Sequence, residues 1–229
     1  MNHKQLLALF LCFVMILSSK IVSIESNNVV SVKDVSNNID KYKIESICED
    51  TKDKSINIFY PVTKYEKVNN KIKEKIDYYK EKLESSEYIS QKKKLRISFE
   101  EFEHNDITSF KFNIKSNVGI GHDLDEVFTI VFKEDEVIEM KDIIEKYPEL
   151  IEKLFNVCSE KIKENSKVKQ YSNDSWISKG LVKGVDTFSN YIINDKDIII
   201  FFNPESIAPY VAGIIQVEIP MENLELDIE

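Results

Sequence analysis

Three consecutive runs alternate apolar and polar positions most clearly. Leu95, Ile97 and Phe99 alternate with Arg96 and Ser98, and Phe110, Phe112 and Ile114 with Ser109, Lys111 and Asn113. Between Glu126 and Lys133, Val127, Thr129 and Val131 fall on one face and Phe128, Ile130 and Phe132 on the other. A period of two predicts strands, and the polar stretches Glu103 to Asp106 and Asn117 to Asp125 that join them predict an antiparallel meander. Upstream, Lys41 to Cys48 and Ser55 to Tyr60 flank a polar turn and read as a hairpin that ends at Pro61. Downstream, Phe188 to Ile193 and Ile198 to Phe202 flank Asn194 to Asp197 as a second hairpin. Ile214 to Ile219 adds a last strand, which stops at Pro220. The linking segment, with Pro209 and Gly213, reads as a rigid crossover between two strands of one core sheet.

Helical spacing appears twice. Val68, Ile72, Ile76, Tyr79 and Leu83 recur every three or four residues and predict a helix over Thr63 to Ser85, with Thr63 as its cap and Glu66 three residues on. Leu150, Ile151, Leu154, Phe155, Cys158 and Ile162 form a second stripe, within helical sequence that begins near Asp142. Pro148 sits where a helix start tolerates a residue without an N–H. Asn165 to Ser175 is polar and reads as loop, and Trp176 to Val185 is ambiguous because Gly180 and Gly184 weaken a helix. About eight strands and two long helices, without regular strand–helix alternation, argue an α+β fold. The expected organisation is two small subdomains, each a long helix packed on a mainly antiparallel sheet, covering residues 42–136 and 137–229.

Ahead of these units, Lys4 precedes an apolar run from Leu6 to Leu17, too short for a membrane span of roughly 20 residues. Residues 1–23 therefore read as a signal peptide or retained N-terminal anchor, and residues 24–41, rich in Ser, Asn and Val, as a linker. The expected location is extracellular or at the cell envelope. The whole chain carries a net charge of −9; residues 1–23 hold two lysines and no acid, so the remainder carries −11. Such a domain repels nucleic acid and anionic polymers and suits a cationic partner. Its two cysteines outside the leader, Cys48 and Cys158, permit one disulfide, although Cys158 on an apolar helix face favours free thiols.

Catalytic signatures are missing. His104 and His122 are far apart in sequence, without the ligand spacing of a zinc site. Asp123 and Asp125 beside His122 make only a weak metal site conceivable, so no metal and no cofactor are expected. No nucleophile elbow, phosphate loop or activated cysteine is present. Glu100, Glu101 and Glu103 offer carboxylates for acid–base work but read more simply as a solvated strand end. Trp176, the one tryptophan, lies in polar sequence, where an exposed ring anchors a partner and a packed one does not. The candidate binding residues are His122, Asp123 and Trp176.

Ile207-Ala208-Pro209-Tyr210-Val211-Ala212-Gly213, followed by Val217-Glu218-Ile219-Pro220, resembles the closing signature of a domain of unknown function of the DUF3298 type. That domain is found in the extracellular part of RsiV-type anti-sigma factors and in PdaC-type peptidoglycan deacetylases. Tyr60-Pro61, then Asn69 and Ile72 in a long helix, resemble the PdaC-type N-terminal domain that accompanies it. Gly119 to His122 stands where the family often has a Gly-Gly-Ala-His loop. The sequence departs there, and Glu205 replaces a common aromatic. The deacetylase catalytic motifs are not found in the sequence. The resemblance implies a non-enzymatic cell-envelope module of a Gram-positive bacterium, secreted or membrane-tethered, that binds a cationic protein such as lysozyme. The alternative it implies is a peptidoglycan-binding accessory to a separate wall-modifying enzyme.

Overall fold

The computed structural model describes residues 41–85, 91–119 and 121–224. The expected leader, and the linker except for Lys41, lie outside the described residues. The first sheet has six strands in sequence order: β1 (Tyr42–Asp50), β2 (Lys54–Thr63), β3 (Lys93–His104), β4 (Ile107–Asn117), β5 (Leu124–Lys133) and the two-residue β6 (Glu136–Val137). All neighbours run antiparallel except β2 and β3, which pair parallel from Lys54 opposite Lys93 to Ile58 opposite Ile97. The helix α1 (Glu66–Glu84) connects that parallel pair. Parallel neighbours need such a crossover, because a tight turn can only reverse the chain.

The five apolar positions of α1 read from the sequence are its buried residues. They pack on Ile58, Ile97, Phe110, Phe112 and Phe128, the apolar face of the sheet. Burying each such side chain contributes about 1.5–3 kcal/mol. Phe112 and Phe128 stack with ring centroids 4.3 Å apart.

Both ends of the predicted helix shift. The helix starts at Glu66, and Thr63 belongs to β2 rather than serving as the N-cap. The Thr63 hydroxyl instead accepts from the Tyr65 N–H at 3.0 Å. Asn69 ties the same junction, its Oδ1 accepting from the Thr63 N–H at 2.8 Å and its Nδ2 donating to the Thr63 carbonyl at 2.8 Å. Pro61 does not end β2, which still pairs with β1 there, Pro61 opposite Ile44. Pairing with β3 stops at Ile58, so Pro61 occupies a single-sided stretch that tolerates a missing N–H.

The second half adds helices α2 (Met140–Lys146), α3 (Leu150–Glu164), α4 (Ser166–Tyr171) and α5 (Asp174–Gly180). A three-stranded antiparallel sheet follows: β7 (Tyr191–Ile193), β8 (Asp197–Phe202) and β9 (Ile215–Pro220). The polar stretch expected to be loop is therefore largely helical. Asn165 caps α4 by accepting from Lys167 and Val168 N–H, and Asn173 caps α5 by accepting from Trp176 N–H. The segment between β8 and β9 is no crossover, because the two strands are direct antiparallel neighbours; it is a long hairpin connection.

Leu154, Cys158 and Ile162 of α3 pack with Ile198, Ile200, Val217 and Ile219. Ile107 and Val131 of the first sheet belong to that same cluster, so the two halves share a core. Cys48 is exposed on β1 and Cys158 buried in α3, both as free thiols.

Candidate functional site

The signature segment and the loop after β4 meet at the junction between the two sheets. Ile207, Ala208 and Ala212 are buried and anchor the segment in the shared core. Pro209 opens a single helical turn, Tyr210–Ala212, and Gly213 closes it with φ 67 and ψ −156. That conformation is open essentially to glycine alone. The turn presents the Tyr210 ring to His122, with centroids 4.1 Å apart. The Tyr210 hydroxyl donates to the Asp123 carbonyl.

Side chains of the loop hold it in place. Asn117 Oδ1 accepts from the Gly119 N–H at 2.9 Å, and Asn117 Nδ2 donates to Asp123 Oδ1 at 3.0 Å. Gly119 and Gly121 take φ values of 93 and 64, which explains glycine at both positions. His122 is exposed, Asp123 half-buried and Asp125 exposed. Partial desolvation first, then the Asp125 and Asp123 carboxylates, hold the Tyr210 phenol above its ordinary value. The junction is thus an aromatic–imidazole pair in a negative field.

The structure brings together His122, Asp123 and Tyr210. Trp176 stands elsewhere, in the first turn of α5, and is 36% exposed. Tyr60, Pro61 and Asn69 have structural surroundings: the Tyr60 hydroxyl donates to Glu45 at 3.0 Å, Pro61 is buried, and Asn69 fastens β2 to α1. Pro220 is the last residue of β9, opposite Asp197.

The acidic trio on β3 does not converge. Glu100 and Glu101 are adjacent strand residues and point to opposite faces. Glu100 accepts from Lys111 at 3.0 Å and Asn113 at 2.7 Å, Glu101 accepts from the Tyr42 hydroxyl at 3.1 Å, and Glu103 pairs with Lys41. Among the described residues, no group of three or more His, Cys, Asp or Glu is placed to hold a metal ion. The hollow lined by Lys67, Lys71, Glu74 and Glu136, about 460 Å³, lies between α1 and β6 and is open to solvent.

Sequence reasoning saw Asn203 only as the end of a strand, before Pro204, and gave it no role. Its Oδ1 accepts from the Val127 N–H at 2.7 Å and its Nδ2 donates to the Val127 carbonyl at 2.9 Å, so the amide acts as a strand surrogate beside β5. Its one sequence signal was the Asn-Pro pair that ends β8.

Fold and site together define a two-sheet α+β protein whose sheets meet at a structured acidic junction. Residues 141–222 match the model of DUF3298, a protein family of unknown function. That span begins in α2 and includes Tyr210 and the second sheet, while His122 and Asp123 lie outside it. The structure is similar to the crystal structure of a DUF3298 family protein from Pseudomonas aeruginosa PAO1, with a TM-score of 0.51 and 12% identity. That alignment covers 81% of this chain and 93% of the other and establishes the fold alone. A DUF3298 family member from Bacteroides fragilis NCTC 9343 aligns with a TM-score of 0.48 and 15% identity, covering 80% of this chain and 92% of the other. No curated protein matches the chain in sequence.

Proposed function

We propose that the protein is a non-catalytic binding domain of the cell envelope, secreted or membrane-tethered, whose acidic junction takes a cationic protein. The observation that carries this reading is the Tyr210–His122 pair flanked by Asp123 and Asp125, a rigid aromatic platform in a negative field. Aromatic anchors and complementary charge are what protein recognition uses most. The likeness of the closing signature to RsiV-type ectodomains makes lysozyme the partner of choice, and the acidic balance of the chain agrees. The test is a titration against lysozyme at low and at physiological salt. Binding is expected, weaker at higher salt, and reduced about tenfold or more in Asp123→Asn/Asp125→Asn, since steering and pairing depend on those charges. Binding that ignores both salt and this variant would refute the junction as the contact; no binding at low salt would refute the partner.

Exposed Trp176 favours a second reading, a peptidoglycan-binding accessory role. Retention on purified peptidoglycan that Trp176→Ala abolishes would support it over lysozyme binding.

A further inference from the structure

The first sheet ends in a long strand with one side open. All nine residues of β1 pair with β2, from Tyr42 opposite Thr63 to Asp50 opposite Ser55, and among the described residues no strand pairs with the other edge. Such an edge presents a row of unmatched N–H and C=O groups, which proteins normally blunt with proline, bulges, short length or charged side chains. Of these β1 has only the charges, Lys43, Glu45, Glu49 and Asp50. Ile44 is 50% exposed, and Ser46 and Cys48 on the same face are exposed as well.

We propose that β1 pairs with β1 of a second copy, antiparallel about a two-fold axis at Ser46, joining two six-stranded sheets into one. The register follows from geometry and charge. Residues opposed in an antiparallel pair share a face, so each self-pairing register is centred on a residue. Only centring on Ser46 overlaps the whole strand. It sets Lys43 against Glu49 of the second copy, twice by symmetry, and Ile44 against Cys48. Centring on Glu45 or Ile47 opposes glutamates, Glu45 to itself or to Glu49, which is unfavourable. Within the chain Glu49 shares Lys54 with Glu84, whereas Lys43 is exposed with no ion pair among the described residues.

The experiment is sedimentation velocity of the full chain over a range of concentrations, with charge variants and a cross-link. Concentration-dependent dimerisation is expected. Glu49→Lys, which opposes Lys43 to a lysine at both symmetric positions, should weaken it about tenfold or more, and Lys43→Glu/Glu49→Lys should restore it. Ile44→Cys should form a covalent dimer with Cys48 under mild oxidation, lost on adding Cys48→Ser; the unmodified chain should not cross-link, because its Cys48 faces Ile44. A monomer at every concentration overturns the proposal. So does association that ignores both charge variants, as association through the apolar N-terminal run would. Cross-linking of unmodified Cys48 to itself overturns the register.

Discussion

Two glycines show how the same residue is required for opposite reasons. A Cβ on Gly180 would lie 1.8 Å from the Ser206 carbonyl oxygen, so α5 rests directly on the backbone that leads into the signature segment. A Cβ on Gly213 would meet nothing within 4 Å, but its backbone sits at φ 67. Gly180→Ala should therefore destabilise by about 1–3 kcal/mol through overpacking. Gly213→Ala should cost a similar amount, about 1–3 kcal/mol, through backbone strain. Gly213→Asn should not recover it, because asparagine relieves the left-handed helical region and not this one. Urea unfolding of the three variants checks both claims, and an unaltered midpoint for Gly180→Ala would contradict the close approach. The sequence marked both glycines but could not separate space from angle, since each depends on what the fold places nearby. Cys158 was more legible: its stripe position predicted burial, and burial pushes its thiol from 9.0 to about 12. Because the folded value lies above the unfolded one, this contribution to stability is complete below about pH 9 and is lost as pH rises towards 12. Burial raises the Tyr191 phenol too, and its contribution also falls in alkali. A thiol reagent at pH 8 should label Cys48 at once and Cys158 only on unfolding. Rapid labelling of both in the native state would contradict the packing of α3.

At the scale of elements, long amphipathic patterns were readable and short polar ones were not. The α1 stripe and the meander follow directly from period and face. By contrast, α4 and α5 are six and seven residues long, and each begins at an asparagine cap within a polar stretch. Such helices persist through capping and docking rather than propensity, so the apolar period hardly registers them. The parallel pairing of β2 with β3 was also hidden, because it depends on α1 returning the chain to the same edge of the sheet. Asn69 is the fastening that makes this return specific. Asn69→Ala removes three hydrogen bonds to Thr63 at once, two to its backbone and one to its hydroxyl. The expected loss is about 1–3 kcal/mol, since the Thr63 N–H is left without its partner in a half-buried site. Asn69→Asp keeps both acceptor bonds and forfeits only the donor, so it should fall between wild type and alanine. An aspartate variant weaker than alanine would show that the carbonyl contact, not the N–H, dominates the junction.

The whole molecule is held together by polar side chains that substitute for a strand. Ser109 on β4 donates to the Ile193 carbonyl at 3.2 Å and accepts from the Ile193 N–H at 3.0 Å, with its own side chain fully buried. Thr129 on β5 accepts from the Tyr191 N–H at 2.9 Å, and Asn203 reaches back to Val127. These hydroxyls meet the buried side of β7 that does not pair with β8, while Ile107 and Val131 supply apolar contact beneath. From sequence, Ser109 reads only as a polar position of an alternating strand and Thr129 as a neighbour of Val127 and Val131 on one face, because a strand pattern cannot tell water from a second sheet. The same blindness hid the partnership of His122 with Tyr210, although each was singled out separately. The shared core predicts one cooperative unfolding transition for both halves, with tyrosine and tryptophan probes giving the same midpoint. Ser109→Ala should lower that midpoint by a loss of about 1–3 kcal/mol, from one buried N–H left unpaired. Thr129→Val, nearly isosteric, should act at the neighbouring N–H. Because Tyr191 and Ile193 sit on one three-residue strand, the double variant should depart from additivity: once β7 has loosened at one end, the second bond has less left to hold. Strict additivity with two separate transitions would show instead that the sheets fold independently and merely touch.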